Sequence, residues 1–121
     1  MNDELGIMAE ENVIKDKSKS FALRIIRLYK YLCDEKHEYV LSKQILRSGT
    51  SIGANVREAQ RGQSKPDFYA KLFVALKEAD ETAYWLELLH ESEYIDQSAF
   101  ESVYADCDEI INLLTSITKS R

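Results

Sequence analysis

The sequence predicts an all-α protein, an antiparallel up-down-up-down four-helix bundle. Three observations carry that expectation. Four long stretches repeat apolar residues at helical spacing. The connections between them are about five residues or fewer, which places sequential helices side by side and antiparallel. One proline and four glycines in 121 residues leave few of the breaks a sheet protein needs at its turns.

The first helix is expected over 17–36, where Phe21, Ala22, Ile25, Leu28, Tyr29 and Leu32 make one apolar stripe and Arg24, Arg27 and Lys30 point away from it. The run DEKHE, residues 34–38, breaks the pattern and reads as a short polar turn. The second helix is expected over 39–61, with Gly62 supplying the left-handed conformation that often follows a helix. The third starts near Pro66, which tolerates a first turn where no amide donor is needed, and Asp67 suits the positive helix end. It continues to about residue 90. The fourth follows Asp96, a good N-cap, and runs to about residue 118 with Val103, Cys107, Ile110, Ile111 and Leu114 on its stripe. Residues 1–14 show weak periodicity and are expected to form a flexible arm, which leaves 15–121 as the single bundle domain.

The segment RSGTSIGANVRE, residues 47–58, is unusual for a helix interior. A mid-helix glycine costs about 1 kcal/mol relative to alanine, yet Gly49 and Gly53 stand four apart here. At 100° per residue Ser51, Asn55 and Glu58 form a narrow polar line, Ile45, Gly49, Ile52 and Val56 an apolar stripe, and Lys43, Arg47, Arg57 and Arg61 a basic side. A helix with three faces is expected to pack more than once. The third helix carries surplus apolar surface. Beyond a core stripe of Phe68, Tyr69, Leu72, Leu76, Ala79, Ala83 and Leu86 it offers Phe73, Tyr84 and Leu88 on one side and Trp85 and Leu89 on the other. Aromatic residues outside the core stripe match the composition of subunit interfaces. Gly49, Ser51, Gly53, Asn55, Glu58, Phe73, Tyr84, Trp85 and Leu88 are therefore the expected oligomer interface.

The net charge is −5, unevenly placed. Residues 15–30 hold six Lys/Arg and one Asp, a net +5; residues 43–65 hold five Lys/Arg and one Glu, a net +4. Residues 66–121 hold four Lys/Arg and twelve Asp/Glu, a net −8. Basic and acidic halves can neutralise each other within or between subunits. Alternatively, Arg24, Arg27, Lys43, Arg47, Arg57 and Arg61 form a surface for RNA or DNA. The deciding observation is whether those six cations are exposed together or covered by acids.

Other function classes find little support. Charge interrupts every apolar run, so no membrane span is expected. The acidic start, MNDELGIMAEEN, lacks a secretion signal, and cytoplasmic residence with reduced Cys33 and Cys107 follows. Cys33 and His37 are four apart, but a zinc site needs three or four ligands, and His90 and Cys107 are scattered. Acidic pairs on the third helix, Glu78 with Glu81 and Asp80 with Glu87, lack the Glu-x-x-His partners of di-iron bundles. Phosphate-binding glycine loops are missing. Ser51, Asn55 and Glu58 have no His or Lys beside them to activate a nucleophile. No catalytic residue, metal site or cofactor is assigned, and the chain is read as a non-enzyme.

Four stretches carry a family resemblance: SKSFALRIIRLY in the first helix, QILRSGTSIGANVREAQRG in the second, SKPDFYAKL at the start of the third and ALKEADETAYWLELL within it. Over roughly residues 13–118 the chain resembles the small four-helix-bundle family encoded in intervening sequences of bacterial 23S rRNA genes. The resemblance implies a bundle that assembles into a ring, typically a homopentamer, and implies no enzymatic activity. The accessory variability determinant proteins of diversity-generating retroelements resemble the same family; they are strongly basic and bind nucleic acid and a reverse transcriptase. The −5 charge of this chain departs from them. The function expected is an oligomeric adaptor or scaffold, with nucleic-acid binding as the alternative.

Overall fold

Four helices form the molecule: α1 (Asn2–Asp34), α2 (Leu41–Gln60), α3 (Lys65–Glu91) and α4 (Gln97–Lys119). The computed structural model describes residues 2–119, with side chains from Ala9 onward. Each helix meets its two sequence or ring neighbours, α1 with α2 and α4, α3 with α2 and α4, and the diagonal pairs do not touch. The contact between α1 and α4 is the sparsest of the four. Ion pairs fix the antiparallel register: Arg47 with Glu78 and Lys71 with Glu58 across α2 and α3, Lys17 with Glu109 and Arg24 with Asp106 across α1 and α4.

The core follows the stripes. Phe21, Ile25 and Leu32 of α1 meet Ile45, Ile52 and Val56 of α2, Leu72 and Leu86 of α3, and Val103, Cys107, Ile110 and Leu114 of α4. The buried line of α3 carries Ala75, Ala79 and Ala83 at four-residue spacing, and small side chains let neighbouring helices approach closely. Leu89, expected outside the core stripe, is fully buried, because α3 sits between two neighbours and buries a wider arc than one stripe.

The first helix departs from expectation. It reaches back to Asn2, so the backbone of residues 2–14 is continuous with the rest of α1. Ile14 is 1% exposed and extends the Phe21–Ile25 stripe by two turns, while Gln60 Nε2 donates to the Glu11 carbonyl at 2.7 Å. The apolar residues of this stretch, Leu5, Ile7, Met8, Val13 and Ile14, keep only a weak helical spacing among the acids, so the continuation gave a faint signal. Met1, Ser120 and Arg121, and the side chains of residues 1–8, lie outside the described residues.

The helix ends also differ from the glycine rule. No glycine has positive φ; His37 (φ 53°) and Glu93 (φ 68°) do, so Gly62 does not supply the left-handed turn expected of it. At the end of α3 the Tyr94 amide donates to the Leu89 carbonyl at 2.8 Å and the Glu93 amide to His90 at 3.0 Å. This is a Schellman closure with glutamate at the left-handed position. A side chain there costs roughly 1–2 kcal/mol that glycine avoids. Glu93→Gly is expected to raise stability by about 1 kcal/mol in urea unfolding. An unchanged or lowered midpoint would show that the turn is not strained.

At the two other junctions the sequence signals hold. Ser64 Oγ accepts from the Asp67 amide at 3.3 Å with Pro66 in the first turn, and Asp96 Oδ1 accepts from Ala99 at 2.8 Å. The start of α2 is capped differently. Val40 occupies the N-cap and has no side-chain bond to offer, and the buried Glu38 carboxylate takes its place. Its Oε2 accepts from Val40 (3.2 Å) and Leu41 (3.0 Å), and its Oε1 from Ser42 (2.7 Å).

Candidate interaction surfaces

The faces of α2 point to three different places. Toward α1 lie Gly49 and Gly53. A β-carbon on Gly49 would stand 2.9 Å from both Ile25 γ-carbons, and one on Gly53 would stand 3.4 Å from the Ser18 carbonyl oxygen. Gly49 therefore serves the close contact of α2 with α1 inside one chain and, expected at an oligomer interface, is buried in the bundle, whereas Gly53 is half-buried and makes only ordinary contact with α1. Toward α3 lies a polar seam. The Ser48 and Thr82 hydroxyls meet in the core at 2.8 Å. Arg47 bridges Glu78 (3.0 Å) and Glu81, and Glu81 also accepts from Trp85 Nε1 at 3.0 Å. Glu58 pairs with Lys71 at 2.9 Å. Trp85 is thus half-buried and polar-satisfied within the chain.

The polar line of α2 is spent locally. Ser51 Oγ donates to the Arg47 carbonyl at 2.7 Å and Asn55 Nδ2 to the Ser51 carbonyl at 2.9 Å. These side chains bond back along their own helix, a competition with the backbone typical of Ser and Asn. Cys33 and His37 look to different partners: Cys33 Sγ lies 3.8 Å from the Glu38 carbonyl and from Ser42 Oγ, and His37 Nδ1 lies 3.2 Å from the Tyr39 hydroxyl. Among the described residues no cluster of His, Cys, Asp and Glu is placed to hold a metal. Burial first, and then the carboxylates of Asp80, Asp108 and Asp106, push the Cys107 thiol up to about 12, so it stays protonated and a poor nucleophile.

The six candidate nucleic-acid cations divide. Arg24 donates to Asp106 Oδ2 at 2.6 Å, to the Ser102 carbonyl at 3.1 Å and to the Ser102 hydroxyl, and Arg47 holds its two glutamates. Those two pair with acids of α4 and α3. Arg27, Lys43, Arg57 and Arg61 are exposed and make no ion pair among the described residues. Exposed pairs of this kind contribute about 0–1 kcal/mol each, so they orient the helices more than they hold them.

Outside the core, α3 exposes Phe73 (37%), Val74 (42%) and Tyr84 (54%), while Leu88 is half-buried. Sequence reasoning missed two features. One is the Glu38 cap. The other is a groove of about 250 Å³ between α1 and α2, lined by Lys15, Lys19, Thr50, Gly53 and Arg57. The small residues on α2 were the available signal for it, since a missing side chain leaves either a close contact or a hollow.

These elements define a small all-α protein of the antiparallel four-helix-bundle class. The chain belongs to the family of 23S rRNA-intervening sequence proteins, whose family model matches residues 10–116. It is similar to the crystal structure of a protein of unknown function from the S23 ribosomal protein family of Bacteroides thetaiotaomicron VPI-5482, with a TM-score of 0.90 and 60% identity over 91% of this chain and 98% of that one. No curated protein matches the chain. No helix among the described residues is long and apolar enough to cross a membrane.

Proposed function

We propose that this protein is a non-enzymatic, self-assembling adaptor or scaffold, a cytoplasmic ring of four-helix bundles with five protomers as the expected number. The observation that carries the reading is the outer line of α3. Phe73, Val74 and Tyr84 stay exposed although the core beneath them is complete. Aromatic side chains are enriched at interfaces because they offer large area at low entropic cost. At about 25 cal/mol per Å² of apolar area, a standard interface of roughly 1,600 Å² supplies enough to hold subunits together at micromolar concentration. The hydroxyls bonded along their own helices and the protonated Cys107 supply no activated nucleophile, in keeping with a non-catalytic role.

Light scattering after gel filtration is expected to give about five protomers per particle, closed by cyclic symmetry. A monomer at high concentration overturns the reading. The exposure of Arg27, Lys43, Arg57 and Arg61 favours a second reading, RNA or DNA binding. It gains the upper hand if structured RNA binds below micromolar at physiological salt and Arg57→Gln with Arg61→Gln abolishes that binding, since each lost phosphate contact removes nearly one unit of salt slope.

A further inference from the structure

Opposite faces of the bundle carry opposite unpaired charge. On the α1/α2 face the open groove is edged by Lys15, Lys19 and Arg57 and floored by Gly53. These cations make no ion pair among the described residues, whereas Lys17, Arg24 and Arg47 are paired. Because α1 and α3 do not touch, nor α2 and α4, the α3/α4 face lies on the far side of the molecule. There Asp80 and Asp108 are exposed and make no ion pair among the described residues, and Lys77, one turn before Asp80, is the cation beside them that makes none either. One to two turns further along the same seam Tyr104 donates its hydroxyl to Glu87 Oε2 at 3.3 Å. The exposed rings of Phe73 and Tyr84 flank these acids on α3.

The heights also match. The Lys17–Glu109 pair sets Asp108 level with the Lys15–Lys19 edge of the groove. The Lys71–Glu58 pair sets Phe73 level with Arg57. Counting from Arg47–Glu78 at about 1.5 Å per residue, Asp80 stands about 12 Å further along the bundle than Gly53, so the acid and the groove floor are offset by about two turns.

We infer that the groove receives a second copy of this chain: in the assembly proposed above, on which this inference rests, each protomer sets its Asp80–Asp108 face, with Phe73 and Tyr84, onto the Lys15–Lys19–Arg57 groove of the next. Two different patches on opposite sides of one subunit meet head to tail, and a heterologous contact of that kind generates a ring when its rotation closes. A two-fold dimer would set like charge against like on either face. A polyanion in the groove would leave the acidic face unmatched and would meet repulsion from a chain of net charge −5.

The test uses the full chain and reads assembly by sedimentation over a range of concentration and salt. Lys19→Glu with Arg57→Glu is expected to raise the assembly midpoint by about tenfold or more, and Asp80→Lys with Asp108→Lys to do the same. All four positions are exposed. The quadruple variant carries the swapped charges on both faces and is expected to return to within about threefold of the parent, a rescue that misfolding does not produce. Added salt is expected to weaken assembly of the parent chain. If the parent assembles and both double variants assemble equally well, this inference fails while the proposed ring stands. If the parent is monomeric, both fail. If the parent assembles independently of these charges and Lys19→Glu with Arg57→Glu instead abolishes binding of duplex RNA, the groove belongs to a polyanion and the inference is overturned.

Discussion

Glu38→Ala is expected to lower the folding free energy by about 2–3 kcal/mol, the cost of leaving three amides at a helix start, that of Ser42 buried, without their acceptor. Glu38 is 8% exposed, and its carboxylate receives three consecutive amides, Val40, Leu41 and Ser42. Those amides are among the four that an α-helix start cannot satisfy internally, and their summed dipole favours a negative charge at that end. Residue 38 also ties the loop to α1, since its amide donates to the Leu32 carbonyl at 2.9 Å and its carbonyl lies 3.8 Å from Cys33 Sγ. Glu38→Gln keeps one acceptor oxygen and loses the charge, so its loss is expected to be about half as large. Glu35→Ala, exposed in the same loop, is expected to change stability by less than about 0.5 kcal/mol. Urea unfolding at one fixed protein concentration measures all three, with an unchanged m-value as the sign that only stability moved. Equal midpoints for Glu38→Ala and the parent would mean that water caps α2 as well as the carboxylate does.

The same residue marks the limit of what could be read from sequence. Asp96 and Ser64 sit directly before their helices and were legible or nearly so, because N-cap preferences act at that one position. Glu38 reaches the helix from two residues earlier, over a loop whose path depends on His37 in the left-handed region. Nothing in DEKHE announces that path. The charge asymmetry was legible as an excess of cations in the first half and of acids in the second, and the pairs Lys17–Glu109, Arg24–Asp106 and Arg47–Glu78 are where it is neutralised. Which cations pair was not legible, because pairing depends on axial register and on which seam a residue borders. Arg47 and Arg57 sit on one helix, yet the first borders α3 and its glutamates and the second borders α1 and its lysines. The fold class needed only periodicity and loop length, which are local. The interaction surfaces needed the relative height of two helices, which is not.

The two helix glycines of α2 supply the sharpest contrast, with alanine substitutions of opposite sign four residues apart. Gly49→Ala places a β-carbon 2.9 Å from Cγ1 and Cγ2 of Ile25 and 3.2 Å from its Cβ. Ile25 is fully buried, and a β-branched side chain on a helix has essentially one χ1 rotamer, so it has nowhere to turn. The backbones of α1 and α2 must then part, at about 1–3 kcal/mol for overpacking. Removing a helix glycine returns about 1 kcal/mol, so the net loss expected is roughly 0–2 kcal/mol. Gly53→Ala meets nothing closer than the Ser18 carbonyl oxygen at 3.4 Å, ordinary contact, so the propensity gain of about 0.5–1 kcal/mol survives. The clash is also separable from any generic effect of alanine at residue 49. Ile25→Ala removes both offending γ-carbons, and in that background Gly49→Ala is expected to cost at least about 1 kcal/mol less, a coupling that a double-mutant cycle isolates. Thermal and urea unfolding of the four chains in the cycle, with Gly53→Ala beside them, give every term. A Gly49→Ala protein more stable than its parent by the full propensity gain of about 1 kcal/mol would show that α1 and α2 are not held at this distance by the glycine, and the close approach of the two helices would need another cause.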